Sequence, residues 1–478
     1  MFAVSSVERI ESIDHYNEPY EVVRDAAAVS RRVISRTRPI APLSLFAVLR
    51  RTTQRVYWEH DPAQLAFVGW GSAAVLSASD AERFTSIQRQ AAELFAQLDH
   101  DSTAPDEVGP RLFGGFAFND NFDPDQTRAA QIWSVFPTAY FVLPRYLITR
   151  RADQYWLTIN QVVHPHDDDQ ALDDEFARVT AWLHAEPDAP AKTELNLQQI
   201  TYPLDRDDWR QQIIEATDQM RAGDYDKVVL ARTCDLTFDG EVDPVAALEK
   251  LHTRYPNSYR FLIEVWPGHA FYGATPELLG EVCGAQFATA ALAGSRPRGT
   301  SEAEDRALAE ELLTTPKERH EHALVVDSLR ESLRPLMRQF DVPDEPTIYR
   351  LSNIQHLYTP IVGELDGQRT ILDIVERLHP TPALGGHPRP AALAALRRLE
   401  TVNRGWYAAP VGWVDAGGDG MFAAAIRSAV SVGAQARLYA GAGIVADSDP
   451  DREWDEIGLK FRPLLDALGA NVDVRAES

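Results

Sequence analysis

The sequence predicts an α+β fold of large antiparallel sheets with helices outside them, and three observations carry that prediction. Strand patterns follow one another directly over long stretches instead of alternating with helices, which disfavours a doubly wound parallel sheet. No repeat with a period of about 20 to 50 residues marks a solenoid or a propeller. The 478 residues are 45% hydrophobic and 25% charged, the composition of a globular chain with room for a large core.

The charge balance narrows the function. Lys and Arg number 47 against 71 Asp and Glu, a net charge of -24, so the basic footprint of a nucleic-acid binder is missing and anionic membranes are poor partners. Two cysteines, Cys234 and Cys283, cannot build a disulfide framework or a four-cysteine zinc site. The N-terminal MFAVSSVERIESIDHY has neither the charged start nor the apolar core of a secretory signal, and a cytoplasmic protein is expected. Lysine is rare: Lys192, Lys227, Lys250, Lys317 and Lys460 are the whole set, so positive charge is written almost entirely as arginine.

Up to about residue 165, strand patterns (AFVGWGSAAVL from Ala66, then RLFGGFAF and AYFVLPRYLITR) flank a helical pattern, RFTSIQRQAAELFAQL from Arg83. The pair Gly114-Gly115 inside a strand predicts a bulge or a close backbone approach. From His164 to about Asp205 the chain turns polar, with one helical piece around Trp182 and with Pro187 and Pro190 nearby, as in a boundary or linker. Trp209, Ile213, Ala216 and Met220 then recur at helical spacing, with Asp205 as the cap and Gly223 as the stop. The strand DKVVLART follows. Beyond it, strands (YRFLIEVW, AFYGATPELLGEV, MFAAAIRSAVSV, ARLYAGAGIV) interleave with helices (SEAEDRALAEEL, KERHEHALVVDSLRESL, RPAALAALRRLETV, DREWDEIGLKFRPLLDAL).

Several residues have chemical potential. Lys227 enters a strand that is apolar on both faces. Desolvation there favours a neutral amine, which arginine cannot supply; an exposed head at the strand entrance is the competing reading. Glu277, in Gly-Ala-Thr-Pro-Glu-Leu-Leu between two strands, is either a carboxyl kept protonated among apolar neighbours or a solvated turn residue. Thr315 with Glu318 is expected to form a capping box, with Pro316 at the first helical position. On that helix Glu321 shares a stripe with Val325 and Leu329 and points inward, as a cation ligand or half of a buried salt bridge. Glu453, Glu456 and Lys460 lie along one helical face, and an ordinary exposed pair is the alternative. The glycines of Tyr439-Ala440-Gly441-Ala442-Gly443 let backbone amides approach an anion. Arg427, the one charge in an apolar strand, suits a carboxylate from a ligand or from the protein. No nucleophilic triad and no GxxxxGK[ST] loop is present.

In order, the blocks DKVVLAR, TPELL, ALAGSRPRG, KERHEH, LSNIQHL, LHPTPALGG, RGWYAAPVGW, AAIRSA, YAGAGIV and EWDEIGLK resemble the chorismate-utilising enzymes, and most closely their isochorismate synthase branch. The resemblance implies a single large chorismate-binding fold, with two antiparallel sheets packed face to face, helices outside and the site in a cleft between. It implies a variable N-terminal half over 1–195, anchored by FGGFAF, a catalytic region over 196–470 and a C-terminal tail over 471–478. It also implies Lys227 as the base for water, Glu277 as the general acid, and Glu321, Glu456 and Glu453 (directly or through water) as ligands of Mg²⁺. The substrate site would comprise Arg427, Lys460 and the Gly441, Ala442 and Gly443 backbone, with walls from Gly294, Ser295, Ala383, Leu384, Tyr407, Ile426 and Tyr439 and with His356 near the ring.

Branches of the family differ at readable positions. Aminating branches typically carry Gln where Lys227 stands, or a nucleophilic Lys where Ala293 stands, so no glutaminase subunit is expected. The resemblance thus implies Mg²⁺-dependent, reversible conversion of chorismate to isochorismate by a monomer, an isomerase. The alternatives are a salicylate synthase, which goes on to eliminate pyruvate, and a non-catalytic chorismate-binding relative. Menaquinone, a catechol siderophore and salicylate all remain open as fates of the product.

Overall fold

A computed structural model describes residues 32–79, 81–100, 105, 107–120, 131–163, 169–185, 195–351, 354–367 and 369–470. The N-terminal residues up to 31, residues 164–168 and 186–194 of the expected linker with Pro187, Pro190 and Lys192, part of LSNIQHL and the tail 471–478 lie outside them.

The described strands form a 13-stranded and a 10-stranded sheet. Every pairing is antiparallel except that of Arg32–Ile40 with Leu98–His100. The expected α+β class is therefore observed. Strands from both sides of residue 195 are neighbours: Arg55–His60 pairs with Tyr259–Trp266 in the larger sheet, and Arg111–Phe116 with Pro410–Asp415 in the smaller.

The sheets meet through aromatic side chains. Phe67 of the larger sheet lies edge-on to Phe113 and Trp413 of the smaller, with both pairs of ring centroids 5.4 Å apart. Phe67 is fully buried, so truncation to alanine there costs about 3–5 kcal/mol. A second core lies where helices Arg83–Ala96, Pro316–Leu333 and Ile371–Leu378 cover the smaller sheet. Gly114 and Gly115 resolve as a close approach, not a bulge. A Cβ on Gly114 would sit 1.9 Å from the Tyr140 carbonyl oxygen, and one on Gly115 2.7 Å from that of Pro410.

Local signals are met at the helix Arg206–Ala222, where the Asp205 carboxylate accepts from the amides of Asp207 and Asp208 and Gly223 ends the helix in the left-handed conformation. The expected capping box at Thr315 does not form. The helix does begin with Pro316, but the Thr315 hydroxyl donates back to the Glu311 carbonyl (2.6 Å) and Glu318 turns away to accept from Arg296 (2.8 Å).

Two crossings between the sheets frame the cleft. The strand His269–Thr275 of the larger sheet continues through Pro276 and Glu277 into Leu278–Cys283 of the smaller. The strand Gly420–Ala424 of the smaller sheet returns through Ala425, Ile426 and Arg427 to Ser428–Val432 of the larger. The crossings are tied together, since the Ala424 amide donates to the Glu277 carbonyl (3.0 Å) and the Ala274 amide to the Arg427 carbonyl (3.2 Å).

Candidate active site

A cleft of about 520 Å³ opens beside these crossings, and it gathers residues that lie far apart in sequence. Lys227, the first residue of the strand Lys227–Phe238, is 1% exposed, so its side chain is held in the protein and not in solvent. Its Nζ donates to Glu321 Oε1 at 2.7 Å. Glu321 projects from the helix Pro316–Leu333 with Val325 and Leu329 buried beneath it, as the stripe predicted. Gly443 faces this pair at close range: a Cβ there would lie 2.9 Å from both Glu321 Oε1 and Lys227 Cε.

Glu277 lines the cleft from the first crossing. Burial pushes its carboxyl up from 4.5 to about 7, against the opposing pull of Lys227 and Lys460. Half of such groups carry a proton near neutral pH, a state suited to donation.

Arg427 lines the cleft from the second crossing with a backbone φ of +51°, uncommon for a residue with a side chain. Gly273 makes room for it, since a Cβ there would come within 2.5 Å of the Arg427 carbonyl oxygen. One guanidinium nitrogen donates to the Lys460 carbonyl at 3.3 Å. Lys460 itself donates to the Gly441 carbonyl (2.8 Å) and to Glu456 (2.6 Å). Past Leu438, the strand Gln435–Val445 pairs on one side with Lys227–Phe238 and has no second neighbour among the described strands, which leaves the backbone around Gly441 and Gly443 at the edge of the cleft.

Gly294, Ser295 and His356 form a third wall. Gly294 occupies a register shift between Ala293 and Ser295 with φ of +73°, and a Cβ there would press on Glu318 at 3.2 Å. The Ser295 hydroxyl and His356 Nδ1 share a 2.9 Å hydrogen bond. Burial, aided by the Arg427 and Lys460 charges, holds the imidazole down near 3, so it is neutral. Ala383, Leu384, Tyr407 and Ile426 complete the lining.

Tyr439 departs from expectation, because it is buried and does not line the cleft. Tyr439 stands behind Tyr407, stacked on it with ring centroids 5.1 Å apart, while its hydroxyl donates to the Asn403 carbonyl and accepts from Trp133. Other residues in the lining had not been anticipated: Lys317, Glu318, Arg296 and Ala408 all face the cleft. Lys317 had a readable signal, since it lies four residues before Glu321 on the same helical face.

Glu453 and Glu456 line the side formed by the helix Pro450–Leu468. Burial and the neighbouring Glu456 charge push Glu453 up to about 7, while Lys460 overcomes burial to hold Glu456 below the usual range. Buried Glu453 and half-exposed Glu456, in conflict with each other, and Glu321 on the same cleft offer oxygen donors of the kind a hard divalent cation takes. Glu321 and Glu456 are each turned to a lysine. A different trio, Glu59, Asp61 and His252, brings ligand atoms within 4.8 Å of one another, but Arg150 and Arg260 already pair with its carboxylates.

Comparison with known proteins gives concordant results. Residues 21–469 match a family model described as chorismate binding enzyme. The chain is 38% identical over 436 residues to the isochorismate synthase MenF of Bacillus subtilis, covering 90% of this chain and 91% of that one. It is 36% identical over 437 residues to the salicylate biosynthesis isochorismate synthase of Pseudomonas aeruginosa, covering 90% and 88%. Among solved structures, the menaquinone-specific isochorismate synthase MenF from Escherichia coli superposes with a TM-score of 0.76 at 26% identity, covering 92% of this chain and 95% of the other.

Proposed function

This chain belongs to the chorismate-binding enzyme family, and from that premise we propose how its cleft carries out the reaction of an isochorismate synthase. The enzyme is an isomerase that converts chorismate to isochorismate, the activity named for relatives that align along nearly its whole length. The observation that carries the assignment to this cleft is that it brings together Lys227, a buried amine hydrogen-bonded to Glu321, and Glu277, a carboxyl raised to about 7.

Chorismate carries two carboxylates, which a chain of charge -24 repels except where positive charge is concentrated. Arg427 and Lys460 supply that charge, and the Arg427 guanidinium offers a fork suited to a carboxylate. Tyr407, Leu384, Ala383 and Ile426 enclose the ring, and Gly294, Ser295 and His356 line a further wall. Glu321 and Glu456, with Glu453 directly or through water, would hold Mg²⁺ at the ring carboxylate, where it would neutralise charge and withdraw electron density from the ring.

Lys227 Nζ accepts a proton from the water that adds at C2. The ring double bonds shift, and Glu277 delivers a proton to the C4 hydroxyl, which leaves as water. One water is consumed and one released, so the reaction is a reversible isomerisation. In the reverse direction Glu277 becomes the base and Lys227 the acid. Alanine at position 293 and lysine at 227 support water over ammonia as nucleophile.

Incubation of the purified protein with chorismate and Mg²⁺, beside a chelated control, tests this reading by chromatography of the products. Isochorismate approaching a fixed ratio with chorismate is the expected result. Pyruvate with salicylate would assign the lyase-active branch, and no conversion in the presence of Mg²⁺ would refute the catalytic reading.

A further inference from the structure

Three of the five lysines in this chain stand against Glu321, Glu456 and Glu453, the three carboxylates read above as ligands of the cation. Lys227 contacts Glu321 at 2.7 Å, Lys460 contacts Glu456 at 2.6 Å, and Lys317 lies 3.8 Å from Glu453. In a chain that otherwise writes positive charge as arginine, one lysine per carboxylate is a selective use of the residue. A compact ammonium on a flexible stem can withdraw from a carboxylate, whereas a guanidinium engages it through a planar two-point fork.

The three lysines are not equivalent. Lys227 is enclosed, and Lys460 also holds the Gly441 carbonyl. The Lys317 side chain is 40% exposed, against 7% for Glu453, so it can swing into solvent without breaking another ion pair among the described residues. Its place in the helix adds a second observation. Lys317 sits in the first turn of Pro316–Leu333, where the helix dipole disfavours a cation. Helix stability therefore does not account for a lysine at this position, while the facing Glu453 does.

We propose that Lys317 competes with the divalent cation for Glu453 and thereby sets the affinity of the cleft for that cation. The inference rests on the reading of Glu321, Glu453 and Glu456 as the cation's ligands. Binding of the ion requires the ammonium to leave Glu453, and the displaced charge still opposes the ion from nearby. Removing the ammonium removes both costs.

Mn²⁺ titration of the full chain without chorismate, followed by calorimetry or by loss of the free-ion spin-resonance signal, reads this directly. Lys317→Met is expected to lower the Kd for Mn²⁺ roughly two- to fivefold, as for loss of one half-exposed ion pair. Lys317→Arg, which keeps a cation, is expected to bind Mn²⁺ no tighter than the unaltered protein. In a Glu453→Gln background, where the competition is already gone and only the repulsion remains, Lys317→Met is expected to tighten Mn²⁺ binding by less than it does in the unaltered chain. Unchanged or weaker Mn²⁺ binding by a folded Lys317→Met variant overturns the proposal while leaving the ligand set standing. Absence of Mn²⁺ binding by the unaltered protein removes the ligand set itself, and this proposal with it.

Discussion

Replacing Glu277 with Gln separates its chemical role from its structural cost. Burial holds the Glu277 carboxyl at about 7 in the folded protein against an ordinary 4.5. The folded state therefore binds this proton more tightly than the unfolded chain. Its contribution to stability is complete below about pH 4.5 and is lost as pH rises to about 7. At ~1.36 kcal/mol per pH unit, the loss amounts to about 3 kcal/mol above pH 7. Gln cannot ionise, so Glu277→Gln should match the unaltered protein near pH 4.5 and exceed its stability by about 3 kcal/mol at pH 8. The same variant should lose turnover by about 10²–10⁴-fold, the usual worth of a positioned general acid. In the unaltered enzyme about a tenth of Glu277 remains protonated at pH 8, so kcat/KM should fall roughly tenfold per pH unit above 7. Denaturant melts of both proteins at pH 5 and pH 8, with product chromatography across the same range, check each part. A stability difference that does not change with pH would show that the carboxyl is not held protonated by burial, and near-normal turnover by Glu277→Gln would remove it as the acid.

Four further outcomes follow from the cleft. Lys227→Ala should lose about 10²–10⁴-fold in turnover with an unchanged circular dichroism spectrum, and appreciable isochorismate formation would remove Lys227 as the base. Gly443→Ala introduces a Cβ 2.9 Å from both Lys227 and Glu321; displacing them should lower kcat on the order of 10²-fold while thermal unfolding moves little. At position 427, Gly tolerates the left-handed backbone and Ala does not. Arg427→Gly should therefore be more stable than Arg427→Ala by about 1–2 kcal/mol, although both raise KM for chorismate. Chelation should abolish turnover and added Mg²⁺ restore it, and full activity in excess chelator would sink the cation reading.

Much of this was legible in the sequence because it was local. The helix Arg206–Ala222 carried its cap, periodicity and stop within one stretch of chain, and the stripe under Glu321 placed that carboxylate inward. The glycine pair at 114 announced close contact without saying with what. Other features depend on contacts that sequence spacing does not encode. The Thr315 box failed because Arg296, a strand residue, draws Glu318 away from the cap. Tyr439 was expected on the wall, but Trp133 and Asn403 hold its hydroxyl behind Tyr407. Local spacing also gave no sign that Glu277 and Arg427 occupy paired crossings, because that depends on how two distant hairpins lie in the sheets.

Those crossings limit how the enzyme can be remodelled. The Glu277 and Ala424 backbones are hydrogen-bonded, as are those of Arg427 and Ala274, so the proposed acid and the proposed carboxylate-binding arginine are fixed to one ladder. Insertion or deletion of a residue in either crossing shifts the register of both and turns side chains to the opposite face. Loop-length variation, the common route by which other scaffolds acquire new substrates, is closed at this point. Changes of substrate must come from single replacements on independent walls, such as Leu384 or Ser295, where shape alters while the spacing between the proposed proton donor and the proposed carboxylate anchor stays constant.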